Sequence, residues 1–67
     1  MQVIINGKHT KLTDVKTVET LIKHLELSGR IAIEINQQII PRAEYATHTL
    51  TEGDVIEIVH AIGGGAT

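Results

Sequence analysis

Apolar residues along this chain change their period twice. Residues 1–5 are apolar and rich in β-branched side chains, which suit a half-buried pleated surface. They stop at Asn6-Gly7, the dipeptide best fitted to the positive φ angles of a type I′ turn, so residues 8–12 are expected to return as the second strand of a hairpin. After Thr13 the spacing becomes helical: Val18, Leu21, Ile22 and Leu25 recur at i, i+3, i+4 and i+7 and place one apolar stripe on a helix over 18–27. Thr17 is its natural N-cap, Glu19 lies in the positive first turn, and Gly29 stands where a left-handed C-terminal cap is wanted.

The period then returns to two. Ile31, Ile33 and Ile35 fall on one side of a strand and Ala32 and Glu34 on the other. Asn36-Gln37-Gln38 reads as its turn, and Ile39-Ile40 as a short strand ended by Pro41, which cannot donate to a ladder. Residues 42–46 suit a single helical turn carrying Tyr45, and residues 48–50 another short edge strand. Thr51-Glu52-Gly53-Asp54 is a turn by composition. Residues 55–62 form the last strand, with Ile56 and Ile58 toward the core and Glu57 and Val59 outward.

The order of hairpin, helix, strand, short strands and final strand contains no βαβ alternation. The class is therefore α+β, a mixed sheet with one helix packed across one face. Its simplest closure pairs the first and last strands in parallel at the centre, the β-grasp arrangement. Residues 1–62 form this domain, and residues 63–67 are expected to project from it as a flexible glycine-rich tail.

A chain of 67 residues has room for one core but not for a deep substrate cleft as well. The absence of cysteine removes disulfide support, and it means that sulfur chemistry here cannot run through a side-chain thiol. Six Lys and Arg scattered singly, a net charge of -2 and the single aromatic Tyr45 supply neither a basic stripe nor a stacking platform, so nucleic acid is not an expected partner. The N-terminus has no secretory pattern, and no apolar run approaches the roughly 20 residues of a membrane span. A cytoplasmic location without a membrane partner is expected.

The titratable residues do not assemble a catalytic set. His9, His24, His48 and His60 fall on different elements with no i, i+4 pair, so no metal is expected, and Glu52 and Asp54 read as turn-formers. An enzyme reading thus lacks both a cleft and its residues, and no cofactor is expected to be bound by the chain. The tail is more informative. Gly63-Gly64-Gly65 could be a frayed end, but a phosphate-cradling loop is excluded because no helix follows. An all-glycine arm can also thread a narrow channel and present its own carboxylate to another protein's site, where a Cβ would clash. The outward-facing Ile4, Ala32 and Val59 are expected to cluster near the tail root at His60 and Ile62 as a partner-binding surface.

Three stretches carry a family resemblance. These are Val3-Ile4-Ile5-Asn6-Gly7-Lys8, Ile35-Asn36-Gln37-Gln38-Ile39-Ile40-Pro41-Arg42, and the run from Leu50 through Thr51-Glu52-Gly53-Asp54-Val55 to Gly63-Gly64-Gly65. Together they resemble the ThiS family, sulfur carriers of thiamine biosynthesis with a ubiquitin-like fold. The resemblance implies that an E1-like adenylyltransferase of the ThiF type uses ATP and magnesium to adenylate the terminal glycine carboxylate. Sulfur from a cysteine persulfide donor then yields a thiocarboxylate on Gly65, which is delivered to thiazole synthase of the ThiG type. Carriers of other pathways, such as the molybdopterin carrier MoaD, and ubiquitin-like modifiers or binding modules share these features and remain alternatives. One departure stands out: the family ends on glycine, whereas Ala66-Thr67 follow here, so the active species is expected to stop at Gly65.

Overall fold

The computed structural model describes residues 1–60. They form strands β1 (Gln2–Ile5) and β2 (Lys8–Lys11), helix α1 (Val18–His24), strands β3 (Ile31–Ile35) and β4 (Gln38–Ile40), a 3-10 turn (Arg42–Glu44) and strand β5 (Val55–His60). The sheet order is β2-β1-β5-β3-β4. β1 and β5 run parallel at its centre, and the other pairs are antiparallel, as the hydrophobic periods imply.

Both hairpins turn on left-handed residues. Asn6 (φ 50°) and Gly7 (φ 82°) connect β1 to β2 as expected of a type I′ turn. The second hairpin uses Asn36 (φ 51°) and Gln37 (φ 71°) without any glycine, and Gln38 pairs with Ile35 inside the sheet, not in the turn. β2 is an exposed edge whose lysines, Lys8 and Lys11, discourage pairing with another chain.

The helix begins where its cap predicts. The Thr17 hydroxyl accepts from the Thr20 N–H at 3.2 Å, and the Thr20 hydroxyl accepts from the Thr17 N–H at 2.9 Å, a reciprocal box built from two threonines. It ends earlier than expected, at His24, because Glu26 and not Gly29 takes the left-handed position, at φ 57°. The Leu27 N–H reaches the Ile22 carbonyl at 3.0 Å and the Glu26 N–H the Lys23 carbonyl at 3.1 Å, the crossed pair of a Schellman motif. Leu27 and Ile22 both pack on the core, and that apolar contact draws the chain back early. Gly29, at φ 80°, serves the bend before β3.

Residues 48–50 form no edge strand. They make an isolated bridge, Thr17 to Thr49, and their main chain bonds to the entry of α1: Val18 N–H to the His48 carbonyl at 3.1 Å, and Leu50 N–H to the Lys16 carbonyl at 2.8 Å. Leu50 has to reach the core under the helix, and this pairing satisfies its backbone there. The core is Val3, Leu12, Val15, Val18, Leu21, Ile33, Ile35, Ile40, Leu50, Ile56 and Ile58, so the inward residues of the two central strands are inside except Ile5, which is partly buried, and the terminal His60, which is exposed.

Glu26 holds a left-handed conformation that favours glycine. Glu26→Gly should therefore stabilise the fold by about 0.5–1 kcal/mol in urea unfolding, since relief of the backbone cost exceeds the added freedom of the unfolded chain. An unchanged or lowered midpoint would show that the Schellman turn is not strained.

Candidate functional site

The helix covers one face of the sheet and leaves the other open. On that open face β5 presents Val55, Glu57 and Val59, as its alternating burial requires. The antiparallel register with β3 sets Val59 beside Ala32 and Glu57 beside Glu34, and β4 adds Ile39 beside Glu34. Ile39 and Val59 are 68% and 57% exposed, and with Ala32, Glu34 and Glu57 they line a shallow groove of about 160 Å³. The result is an apolar strip with two glutamates set directly across from each other.

This surface corrects one expectation. Ala32 and Val59 meet, but Ile4 pairs with Val55 at the opposite end of β5, about 13 Å from Val59 at roughly 3.3 Å per residue. Ile4 instead lines a separate depression with Gln2, His9 and Glu52. The Thr51–Asp54 turn feeds β5 in beside β1, with Ile4 N–H bonded to the Asp54 carbonyl at 2.9 Å, and that parallel register separates them. Ile39 occupies the place expected of Ile4. A two-residue apolar run shows no alternation, so only its pairing with Glu34 reveals that it faces outward. His60 ends β5 opposite Ile31, exposed. Ile62, Gly63, Gly64 and Gly65, together with Ala61, Ala66 and Thr67, lie outside the described residues.

Two asparagines hold β5 at its ends. At the start, Asn36 accepts from the Val55 N–H at 2.9 Å through Oδ1 and donates through Nδ2 to the Asp54 carboxylate at 3.0 Å. Asp54, the buried charged residue of the core region, also accepts from the Thr51 N–H at 2.8 Å. At the far end Asn6 bonds the main chain of Ile58. Glu52 accepts from the Gln2 N–H at 2.9 Å, so Glu52 and Asp54 serve the turn, as their composition suggested. Among the described residues no three His, Asp or Glu side chains gather as a metal site, and no helix is long and apolar enough to cross a membrane.

Like charges directly across a strand pair are destabilising. Glu57→Lys should raise the melting temperature by about 2–4 °C at low ionic strength, with the gain shrinking in high salt. A salt-independent or negative change would show that Glu34 and Glu57 do not repel.

Comparison with known proteins follows this architecture. The model of the ThiS family matches residues 3–65. The sulfur carrier protein ThiS of Escherichia coli is 35% identical over 66 residues, covering 97% of this chain and 100% of that one. Its Bacillus subtilis counterpart is 41% identical over 63 residues, 91% of this chain and 96% of that one. A thiazole synthase of Paramagnetospirillum magneticum is 39% identical over 67 residues, which take in 98% of this chain; the chain spans only 21% of that relative's length. Among solved structures, the crystal structure of the thiamine biosynthesis protein ThiS from Geobacter metallireducens superposes with a TM-score of 0.84 at 25% identity, covering 97% of this chain and 100% of that one.

Proposed function

The chain belongs to the ThiS family of sulfur carriers, and from that membership we propose that it carries sulfur for thiazole synthesis as a thiocarboxylate on Gly65. The observation that carries this reading is where the family match ends: it runs through the three glycines and stops at residue 65, leaving Ala66 and Thr67 outside. Among the described residues the two depressions on the surface are shallow, which fits a role in which chemistry is done on the chain inside a partner.

A carboxylate is a poor electrophile until it bears a good leaving group. An E1-like adenylyltransferase of the ThiF type would let the Gly65 carboxylate oxygen attack the α-phosphorus of ATP, with magnesium, releasing pyrophosphate and leaving an acyl-adenylate. The outer sulfur of a cysteine persulfide on a donor protein then attacks the acyl carbon and AMP departs. A second thiolate on the donor side cleaves the S–S bond, leaving a thiocarboxylate on the carrier and a disulfide on the donor. The carrier needs no cysteine, and it has none. The thiocarboxylate sulfur is nucleophilic and would be passed to a thiazole synthase of the ThiG type. A relative named thiazole synthase that contains a segment similar to this whole chain supports that partnership.

The docking surface would be the open-face strip, Ala32, Ile39 and Val59, with His60 and Ile62 at the tail root and Ile4 excluded by its distance. It adjoins the end of β5 from which the tail departs, where a partner has to grip in order to steer the arm.

Two measurements test this reading. A chain ending at Gly65, incubated with the adenylyltransferase, ATP and a sulfur donor, should gain about 16 Da as one oxygen is exchanged for sulfur, and the 67-residue chain should not. Equal pyrophosphate exchange by both would show that the reactive carboxylate is misassigned; isopeptide-linked conjugates without thiocarboxylate would turn the reading to a protein modifier. Separately, Val59→Asp should weaken binding to the adenylyltransferase by about tenfold or more while the melting curve is kept, because the residue is largely exposed. Unchanged affinity would remove the strip from the interface.

A further inference from the structure

β1 accompanies β5 for only part of its length. Their register pairs are Ile4 with Val55 and Ile5 with Ile56, and the last main-chain bond runs from the Asn6 N–H to the Ile56 carbonyl at 2.9 Å. At Asn6 the chain swings away on a positive φ, so it cannot offer the next carbonyl and N–H that a continued ladder would use to hold Ile58. The Asn6 carboxamide stands in for both. Its Oδ1 accepts from the Ile58 N–H at 2.8 Å, and its Nδ2 donates to the Ile58 carbonyl at 3.2 Å.

A type I′ turn does not require this. Glycine or aspartate would supply the positive φ equally well, whereas of these three only asparagine, through its carboxamide, can both accept from and donate to the Ile58 main chain. The bonded residue is also 52 positions away in sequence, in another strand. Ile58 is thereby held by the core through its buried side chain, by β3 through its place opposite Ile33, and by Asn6. After it the strand has only Val59 and His60, which among the described residues pair with β3 on one side.

We infer that Asn6 is a positioning residue for the C-terminal carboxylate, acting through the main chain of Ile58, which among the described residues is the last point where the β1 side of the body grips β5. The inference rests on the sulfur-carrier reading above. A carboxyl group that reacts in another protein's site starts from the place where its own body releases it. Loosening that place widens the range of poses presented to the reaction centre, and rates fall steeply as alignment is lost. The docking strip lies on different side chains, so affinity and alignment are separable.

The test uses the chain ending at Gly65 with Asn6→Gly, which keeps the turn and removes both bonds, and Asn6→Asp, which keeps the turn and the acceptor but sets a carboxylate oxygen against the Ile58 carbonyl. Amide hydrogen exchange at Ile58 should quicken about tenfold in Asn6→Gly and less in Asn6→Asp, the factor that roughly one net hydrogen bond of local stability supplies, while the melting temperature shifts by only a few degrees. In ATP-pyrophosphate exchange, kcat should fall about fivefold or more with the KM for carrier within about twofold. A wild-type kcat in both variants overturns the inference, and so does a loss of kcat that tracks global unfolding. If the wild-type chain itself is not adenylated, the sulfur-carrier reading falls instead, and the exchange arm still decides whether Asn6 holds the exit strand.

Discussion

The parallel pairing of β1 with β5 is the contact on which the rest of this molecule depends. It joins the first strand to the last, so it closes the loop formed by nearly the whole chain, and until it forms β5 has a neighbour on only one side. Loop closure costs grow slowly with length, but the pairing itself is short, with two register pairs. It is lengthened at both ends by groups outside the ladder. Gly53 N–H reaches the Gln2 carbonyl at 2.8 Å before it, and the Asn6 carboxamide takes Ile58 after it. Val3 and Ile56, both fully buried, lie on the two strands that this seam joins.

Alternation of side chains along the strands gives the sheet two unlike faces. On the inner face β-branched residues and the apolar stripe of α1 make a core with almost no polar content, and its one buried charge, Asp54, is satisfied by Asn36 and Thr51. Among the described residues no element packs over the outer face. There the register, not the composition, brings Ala32, Ile39 and Val59 together around Glu34 and Glu57. Leaving two exposed aliphatic side chains and a like-charge pair on one face gains nothing for folding. This face is the docking strip of the proposal above.

A domain this small cannot surround a substrate, and in the function proposed above its chemistry is done on Gly65 inside a partner. On that proposal the body's part is to hold β5, the strand that precedes the glycine-rich tail in sequence. Two turn asparagines bond that strand, Asn36 at its first residue and Asn6 at Ile58. Both turns therefore do more than reverse the chain: each places a carboxamide against the main chain of the same central strand.

The amino-acid sequence by itself determined the elements and their order. The Asn6-Gly7 hairpin, the stripe Val18, Leu21, Ile22 and Leu25, the alternation through β3 and β5, and the parallel closure of an α+β sheet all follow from local periodicity and turn chemistry, which act between near neighbours. The glycine tail and the absence of cysteine were equally legible, because they are properties of composition. Tertiary structure decided what depends on register and on competition for the core. Ile4 was separated from Val59 because the turn at Thr51–Asp54 sets β5 against β1 at Val55, and Ile39 entered the strip because β4 pairs Glu34 with it. The helix stopped at His24 because Leu27 returned to the core beside Ile22, and residues 48–50 gave up a strand because Leu50 had to lie under α1. Each of these turns on which distant residue arrives opposite, a matter that pairing across the chain settles and local sequence does not contain.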